Sequence, residues 1–277
     1  MPKLTLFQTG YCTHSEAMVI KGGQHRTLRF YATCALIEHP QWGLGLFDTG
    51  YTQRFHTATQ HYPQRLYANL TPVVHQEEEA LVHQLKQHGI SAKDIRWVLL
   101  SHFHADHIGG CRDFPNARFY VHSAAYLPLR HKQGFSALRH GFLPSLLPDS
   151  FETCWQAIET LPKKRLPSQL YPFTEGYALS SDESLIAVEL PGHCPGQLGL
   201  YVQEADSETF LIADACWLKQ AYQEQRPPHP VALAVLGDAS LYHHTLAQLH
   251  TLHKHNPNLR LLPTHCPETM ALCQPLI

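Results

Sequence analysis

The ten residues Ser101-His102-Phe103-His104-Ala105-Asp106-His107-Ile108-Gly109-Gly110 constrain this chain more than any other stretch. Four metal-capable side chains fall within six residues, directly after the apolar run Ile95-Arg96-Trp97-Val98-Leu99-Leu100. Such a run reads as a buried strand, so the cluster sits where a strand ends and a turn into a helix begins. Alternate residues of extended chain point to the same side, which lets His102 and His104 face one point together. Asp106 and His107 follow where the backbone curls and face a second point nearby. Gly109 and Gly110 permit the sharp turn and close backbone approach. Imidazole and carboxylate are the ligands of zinc and its first-row neighbours. In a chain with 22 histidines the competing reading is a His-rich surface loop, and the rest of the sequence decides against it.

Asp48 closes the run Leu44-Gly45-Leu46-Phe47-Asp48-Thr49-Gly50, and His193 lies in Leu190-Pro191-Gly192-His193-Cys194-Pro195-Gly196. Asp214 ends Thr209-Phe210-Leu211-Ile212-Ala213-Asp214, and His265 ends Leu259-Arg260-Leu261-Leu262-Pro263-Thr264-His265. Each is a polar residue just past an apolar, strand-like run. Strand ends gathered on one edge are where an α/β protein builds its site. Alone, each would more often be a turn or a satisfied core residue. Together, after His-x-His-x-Asp-His, they make a shared metal site the expectation.

This pattern resembles the metallo-β-lactamase-fold hydrolase superfamily, from about Leu4 to His265. The resemblance implies a four-layer αβ/βα sandwich of the α/β class carrying two divalent metal ions. His102, His104 and His193 would hold one; Asp106, His107 and His265 would hold the second; Asp214 would bridge them. Asp48 matches the aspartate that braces the ligand loop, and groups of that kind fix ligand orientation. Zinc is the expected metal, with iron and manganese as alternatives.

Within the superfamily, order and spacing are most similar to the quorum-quenching N-acyl-homoserine lactonases. The matching pieces are His102 to Gly110, Pro191 to Gly196, and Ile212-Ala213-Asp214-Ala215. Lactonases usually carry a tyrosine three residues after the bridging aspartate, touching the substrate carbonyl. Here that substrate-binding position is Trp217, which has no hydroxyl. Cys266 follows His265, where lactonases often have aspartate. Asp214 also separates the chain from true β-lactamases, which lack a bridging carboxylate. The implied activity is metal-dependent hydrolysis of a carboxylic ester, lactone or thioester, with Asp106 also passing a proton to the leaving group. An iron-dependent thiol or persulfide dioxygenase and a phosphodiesterase are the alternatives, because a fold does not choose its substrate.

The chain has 277 residues, 44% of them hydrophobic, which suits one large domain or two fused halves. The reading is a single domain over 1–277. The formal net charge is -2, with Lys and Arg scattered rather than striped. That gives nucleic-acid binding no electrostatic support and points to a small acyl compound as partner, with a homodimer left open. The start lacks a signal-peptide apolar core, and no run approaches membrane-spanning length. The expectation is therefore a cytoplasmic protein with no membrane partner. The eight cysteines form no Cys-x-x-Cys pair and read as reduced thiols. Cys194, Cys216 and Cys266 adjoin expected ligands, and small apolar packing is the simpler reading of them.

Strands are expected near 4–9, 33–38, 43–48, 95–100, 118–122, 185–190, 198–203, 210–213 and 260–263. Helices are expected over Glu77–His88, stopped by Gly89, and Leu241–His255, with Leu246, Leu249 and Leu252 on one stripe. Strands in succession with interspersed helices suit two sheets face to face with helices outside. Two long segments, 51–75 and 126–177, fit neither pattern. The second is an aromatic-rich insertion holding Phe135, Phe142, Phe151, Trp155, Tyr171 and Phe173. Long aromatic segments are functional more often than disordered, so both are read as lids over an apolar acyl pocket, with a helical insertion that packs against the core and touches no substrate as the alternative.

Overall fold

Strands with apolar side chains on both faces need cover on both sides, and the architecture supplies it twice. A computed structural model describes residues 1–276. The first sheet contains β1 (Lys3–Ser15), β2 (Thr27–His39), β3 (Gly43–Phe47), β4 (Val73–Val74), β5 (Ile95–Leu99), β6 (Arg118–Val121) and β7 (Trp155–Ala157), in the order β4-β1-β2-β3-β5-β6-β7. The second contains β8 (Lys163–Arg165), β9 (Glu175–Ala178), β10 (Leu185–Glu189), β11 (Leu198–Gln203), β12 (Glu208–Ala213) and β13 (Arg260–Pro263), in the order β13-β12-β11-β10-β9-β8.

Side-chain alternation sorts the apolar residues into three cores. Trp97 and Leu99 of β5 meet Leu198, Leu200 and Val202 of β11 between the sheets. Val98 and Leu100 face the other way, onto Leu81, Leu85, Ile108 and Phe103. Ile186 and Val188 of β10, with Phe210 and Ile212 of β12, pack on Leu246, Leu249 and Leu252 of the helix Ala239–His255. The result is helix, sheet, sheet, helix, the expected four-layer α/β sandwich. Gly45 marks the tightest inter-strand fit. A Cβ there would lie 1.9 Å from Cε2 of Trp97, so only glycine leaves room for the indole.

All nine expected strands are present. The short strands β4, β7, β8 and β9 were not anticipated, since two to four residues carry no usable period. The helix expected over Glu77–His88 is divided. Glu77–Glu79 forms a 3-10 turn, Ala80 is extended, and the helix proper is Leu81–Gln87. The second expected helix begins two residues early, where Asp238 accepts the Leu241 N–H at 3.0 Å.

The segment 126–177 differs most from expectation. It contributes β7, β8 and part of β9, and Tyr126, Phe142, Leu146 and Phe151 are core residues behind the first sheet. Phe55, from 51–75, is fully buried in the same core. Most of these aromatics are therefore packing, not pocket lining. Tyr62 and Phe135 remain exposed and meet each other with ring centroids 5.3 Å apart, joining the two segments. Among the described residues no helix is long and apolar enough to cross a membrane.

Candidate metal centre

Strand direction gathers the site. β3, β5 and β6 run parallel, so their C-terminal ends share an edge. β10 and β12 both run antiparallel to β11, and β13 runs parallel to β12, so their C-terminal ends also coincide. Asp48, the His102–His107 loop, His193, Asp214 and His265 follow β3, β5, β10, β12 and β13 respectively. Two of these exits are strained: Asp48 and Ala213 adopt φ of 60° and 47°, in the left-handed region.

The expected ligands form two groups. Nε2 of His102 and Nε2 of His193 each lie 3.0 Å from Nδ1 of His104. Three ring nitrogens so close converge on one point. In the second group, Oδ2 of Asp106 lies 3.3 Å from His107 Nε2 and 3.4 Å from His265 Nε2. Asp214 reaches both: its Oδ2 is 3.4 Å from His193 Nε2 and 3.0 Å from His265 Nε2, and its Oδ1 is 3.4 Å from His107 Nε2. Every one of these residues except His104 is buried.

Outer hydrogen bonds aim the rings. Asp48, wholly buried, accepts the Ser101 N–H and the Ser101 hydroxyl, each at 2.8 Å, and the His107 Nδ1–H at 2.7 Å. Ser101 Oγ, donating to Asp48, is left to accept His102 Nδ1–H at 3.0 Å. His265 Nδ1–H donates to the Tyr31 carbonyl at 2.8 Å. Each of these three rings thereby presents Nε2 to the site, the arrangement that metal-binding histidines require. Cys194 Sγ lies 3.6 Å from His104 Nε2, and Gly141 closes the same side: a Cβ there would be 2.5 Å from His104 Cδ2.

Protonation fits a cation site. Burial depresses His102 well below the usual imidazole range and takes His193 down to about 3, so both offer lone pairs at neutral pH. Burial also opposes charge on His107, yet Asp106, Asp48 and Asp214 together hold it well above its ordinary value. Burial likewise opposes charge on His265, which Asp214 raises. Burial would raise Asp106, but the His107 charge lowers it to about 2. Protons on His107 and His265 thus stand where a cation's charge is called for. His107 Nε2 and Asp214 Oδ1 are buried without a hydrogen-bond partner, although they face each other. Buried polar atoms left open in this way fit a cation site, and the donor set of five imidazoles and two carboxylates suits zinc and its first-row neighbours.

The structure brings together every expected ligand, with Asp48 behind them. Trp217 is buried three residues past Asp214, and its indole N–H donates to Asp214 Oδ2 at 3.1 Å. That N–H is engaged with the metal centre, not held out toward a substrate carbonyl. Cys216 is packed, and Cys266 faces Glu268 and the Lys219 N–H. Ser101, the Tyr31 carbonyl and Phe30, stacked on His265 at 4.9 Å, were not singled out from sequence. Ser101 had a signal, a hydroxyl directly between the apolar run and the first ligand; the other two had none.

Residues 29–207 match the metallo-beta-lactamase superfamily, and the chain belongs to that family. The N-acyl homoserine lactonase AttM of Rhizobium radiobacter is 27% identical over 162 residues, covering 57% of this chain and 56% of that protein. The chain thus spans about half the length of the curated relatives it matches. A structure of an N-acyl homoserine lactone hydrolase with N-hexanoyl-L-homoserine at its catalytic metal center superposes with a TM-score of 0.71 at 20% identity, over 98% of this chain and 96% of that one. The dizinc quorum-quenching lactonase AidC superposes with a TM-score of 0.62 at 16% identity, over 96% and 88%. At these identities the structural likeness shows the fold alone.

Proposed function

We propose that this chain is a two-metal hydrolase of lactones or of related carboxylic esters and thioesters. The observation that carries the reading is Asp214, whose oxygens lie 3.0–3.4 Å from ligand nitrogens of both groups. His102, His104 and His193 would hold one ion, and Asp106, His107 and His265 the other. Divalent ions in such a site supply Lewis acidity and a water acidified toward neutrality. Asp106 is the least buried of the three site carboxylates, 7% exposed against 3% for Asp214 and 0% for Asp48. It is the one placed to pass a proton to a leaving group.

Zinc is the proposed metal, supported by the imidazole-rich donor set and by the dizinc relative. A complete second group with His107 and His265 disfavours a single-iron dioxygenase. The acyl homoserine lactones named for the relatives are the first substrates to try. The test combines metal analysis of protein purified without added metal with a panel of acyl homoserine lactones, simple lactones, aryl esters, acyl thioesters and a bis-phosphodiester. Two divalent ions per chain and chelator-sensitive acyl hydrolysis are expected. One tightly bound iron with the second site empty, or a phosphodiester preferred over every acyl compound, would overturn the reading.

A further inference from the structure

Trp217 follows β12 on the loop that leads into the helix Lys219–Glu224. Its ring is gripped from both halves of the metal centre. Phe30 meets it edge-on at 5.6 Å and itself stacks on His265, a residue of the second group. On its other side lies His193 of the first group, 5.8 Å away and near-perpendicular. An indole N–H is a donor only, so Trp217 cannot be a ligand. It donates to Asp214 Oδ2 at 3.1 Å in a buried setting.

This contact makes the two oxygens of Asp214 unequal. Oδ2 has one lone-pair direction committed to the indole, whereas Oδ1 is buried with no hydrogen-bond partner. A carboxylate oxygen has about two acceptor sites. Oδ2 also lies within hydrogen-bond distance of His265 Nε2, at 3.0 Å, and 3.4 Å from His193 Nε2, so it faces both groups.

We propose that Trp217 is a positioning residue that anchors the carboxylate of Asp214 through Oδ2 and so holds it facing both ligand groups. The proposal rests on the two-metal reading above and concerns a residue that touches neither ion. It also separates this site from one in which a hydroxyl at the same place meets substrate: an N–H given to Asp214 is not available to a carbonyl. The remaining tryptophans lie elsewhere. Trp42 and Trp97 pair with each other at 6.3 Å, and Trp155 packs on Tyr126 at 5.1 Å. Trp217 is thus the natural optical reporter of the centre.

The test titrates metal-free wild type, Trp217→Phe and Trp217→Tyr with zinc against a competing chelator, following tryptophan emission. Melting of the metal-free forms and kcat and KM on the best acyl substrate complete the comparison. Wild type should take two ions with a change in emission. Both variants should bind the weaker ion about tenfold less tightly, the scale for groups that orient a ligand. They should lose the emission change and show lower kcat at similar KM. Wild-type affinity for both ions in either folded variant would overturn the proposal, whether or not melting shifts. So would a rise in KM alone, which would make Trp217 a substrate contact. Fewer than two ions bound by wild type would defeat the two-metal reading itself, and this inference with it.

Discussion

Replacing Asp48 with asparagine tests whether the second ion depends on a residue that never touches it. Asp48 is fully buried and accepts three hydrogen bonds, two from Ser101 and one from His107 Nδ1–H. Asparagine keeps the shape. If its carbonyl retains the Ser101 N–H, its amide NH2 faces the Ser101 hydroxyl and His107 Nδ1, and donor meets donor. The hydroxyl can rotate away. In the neutral form that could bind a cation, His107 relieves the clash by carrying its one proton on Nε2, which lies 3.3 Å from Asp106 and 3.4 Å from Asp214, and letting Nδ1 accept. That tautomer has no lone pair for a cation. Zinc affinity at the second site should fall about 10–100-fold, or about 1.4–2.8 kcal/mol. The first site should change little, because His102 keeps Ser101 Oγ as its acceptor. Loss of the shared acceptor should also lower metal-free stability by about 1–3 kcal/mol, read from the denaturant midpoint. Zinc titration against a chelator resolves the two affinities. Unchanged affinities, or a loss confined to the first site, would refute the account of Asp48 as the brace of His107.

Four further outcomes follow from the same site. Asp214→Ala should fold but lose most hydrolysis and hold the second ion weakly; near-normal turnover would show that Asp214 is not shared. Gly141→Ala should weaken the first ion selectively in zinc titrations, since its Cβ would meet His104 at 2.5 Å from a backbone at φ +61°; equal loss at both sites would refute this. Zinc binding should release protons and tighten as pH rises, because the buried carboxylates raise the proton affinity of His107 and of His265 in the metal-free chain. Calorimetry in two buffers of different ionisation enthalpy measures that release. Metal-free stability should fall as pH drops from 3.8 toward about 2, where Asp106 protonates. It should fall again above 6.5, as pH rises through the raised His107 value.

The ligand positions were legible because they lie at or shortly past the ends of apolar runs, which sequence periodicity locates well, and the family resemblance then sorted them into two groups. His102, Asp214 and His265 needed no three-dimensional information beyond that. The aromatic segments were not legible in the same way. Phe142 and Phe151 look alike whether they line a pocket or fill a core, and the core took them because three short strands in 155–178 carry the chain back across the sheets. The outer bonds were hidden for a different reason. The Tyr31 carbonyl that orients His265 is 234 residues away and is backbone, so no residue type announces it. Trp217 was visible as a departure from a pattern, but its partner was decided by the turn after β12, which brings the indole back onto Asp214 three residues earlier.

Several of the places where local rules fail coincide at the site. Non-glycine residues at left-handed φ include Asp48 and Ala213, and both lead directly into the metal centre. Two of the buried polar atoms without partners, His107 Nε2 and Asp214 Oδ1, face each other at its middle. Three carboxylates, Asp48, Asp106 and Asp214, are buried around two histidines, His107 and His265, and Asp106 and Asp214 raise the proton affinity of both. Each departure costs free energy in a metal-free chain. A fold consistent elsewhere concentrates such costs where function requires them. Here one change would relieve most of them: divalent charge at the two convergence points satisfies the open atoms, displaces the two protons and neutralises the carboxylates together. Strain in the strand exits would remain, as the means by which Asp48 and Asp214 are turned inward.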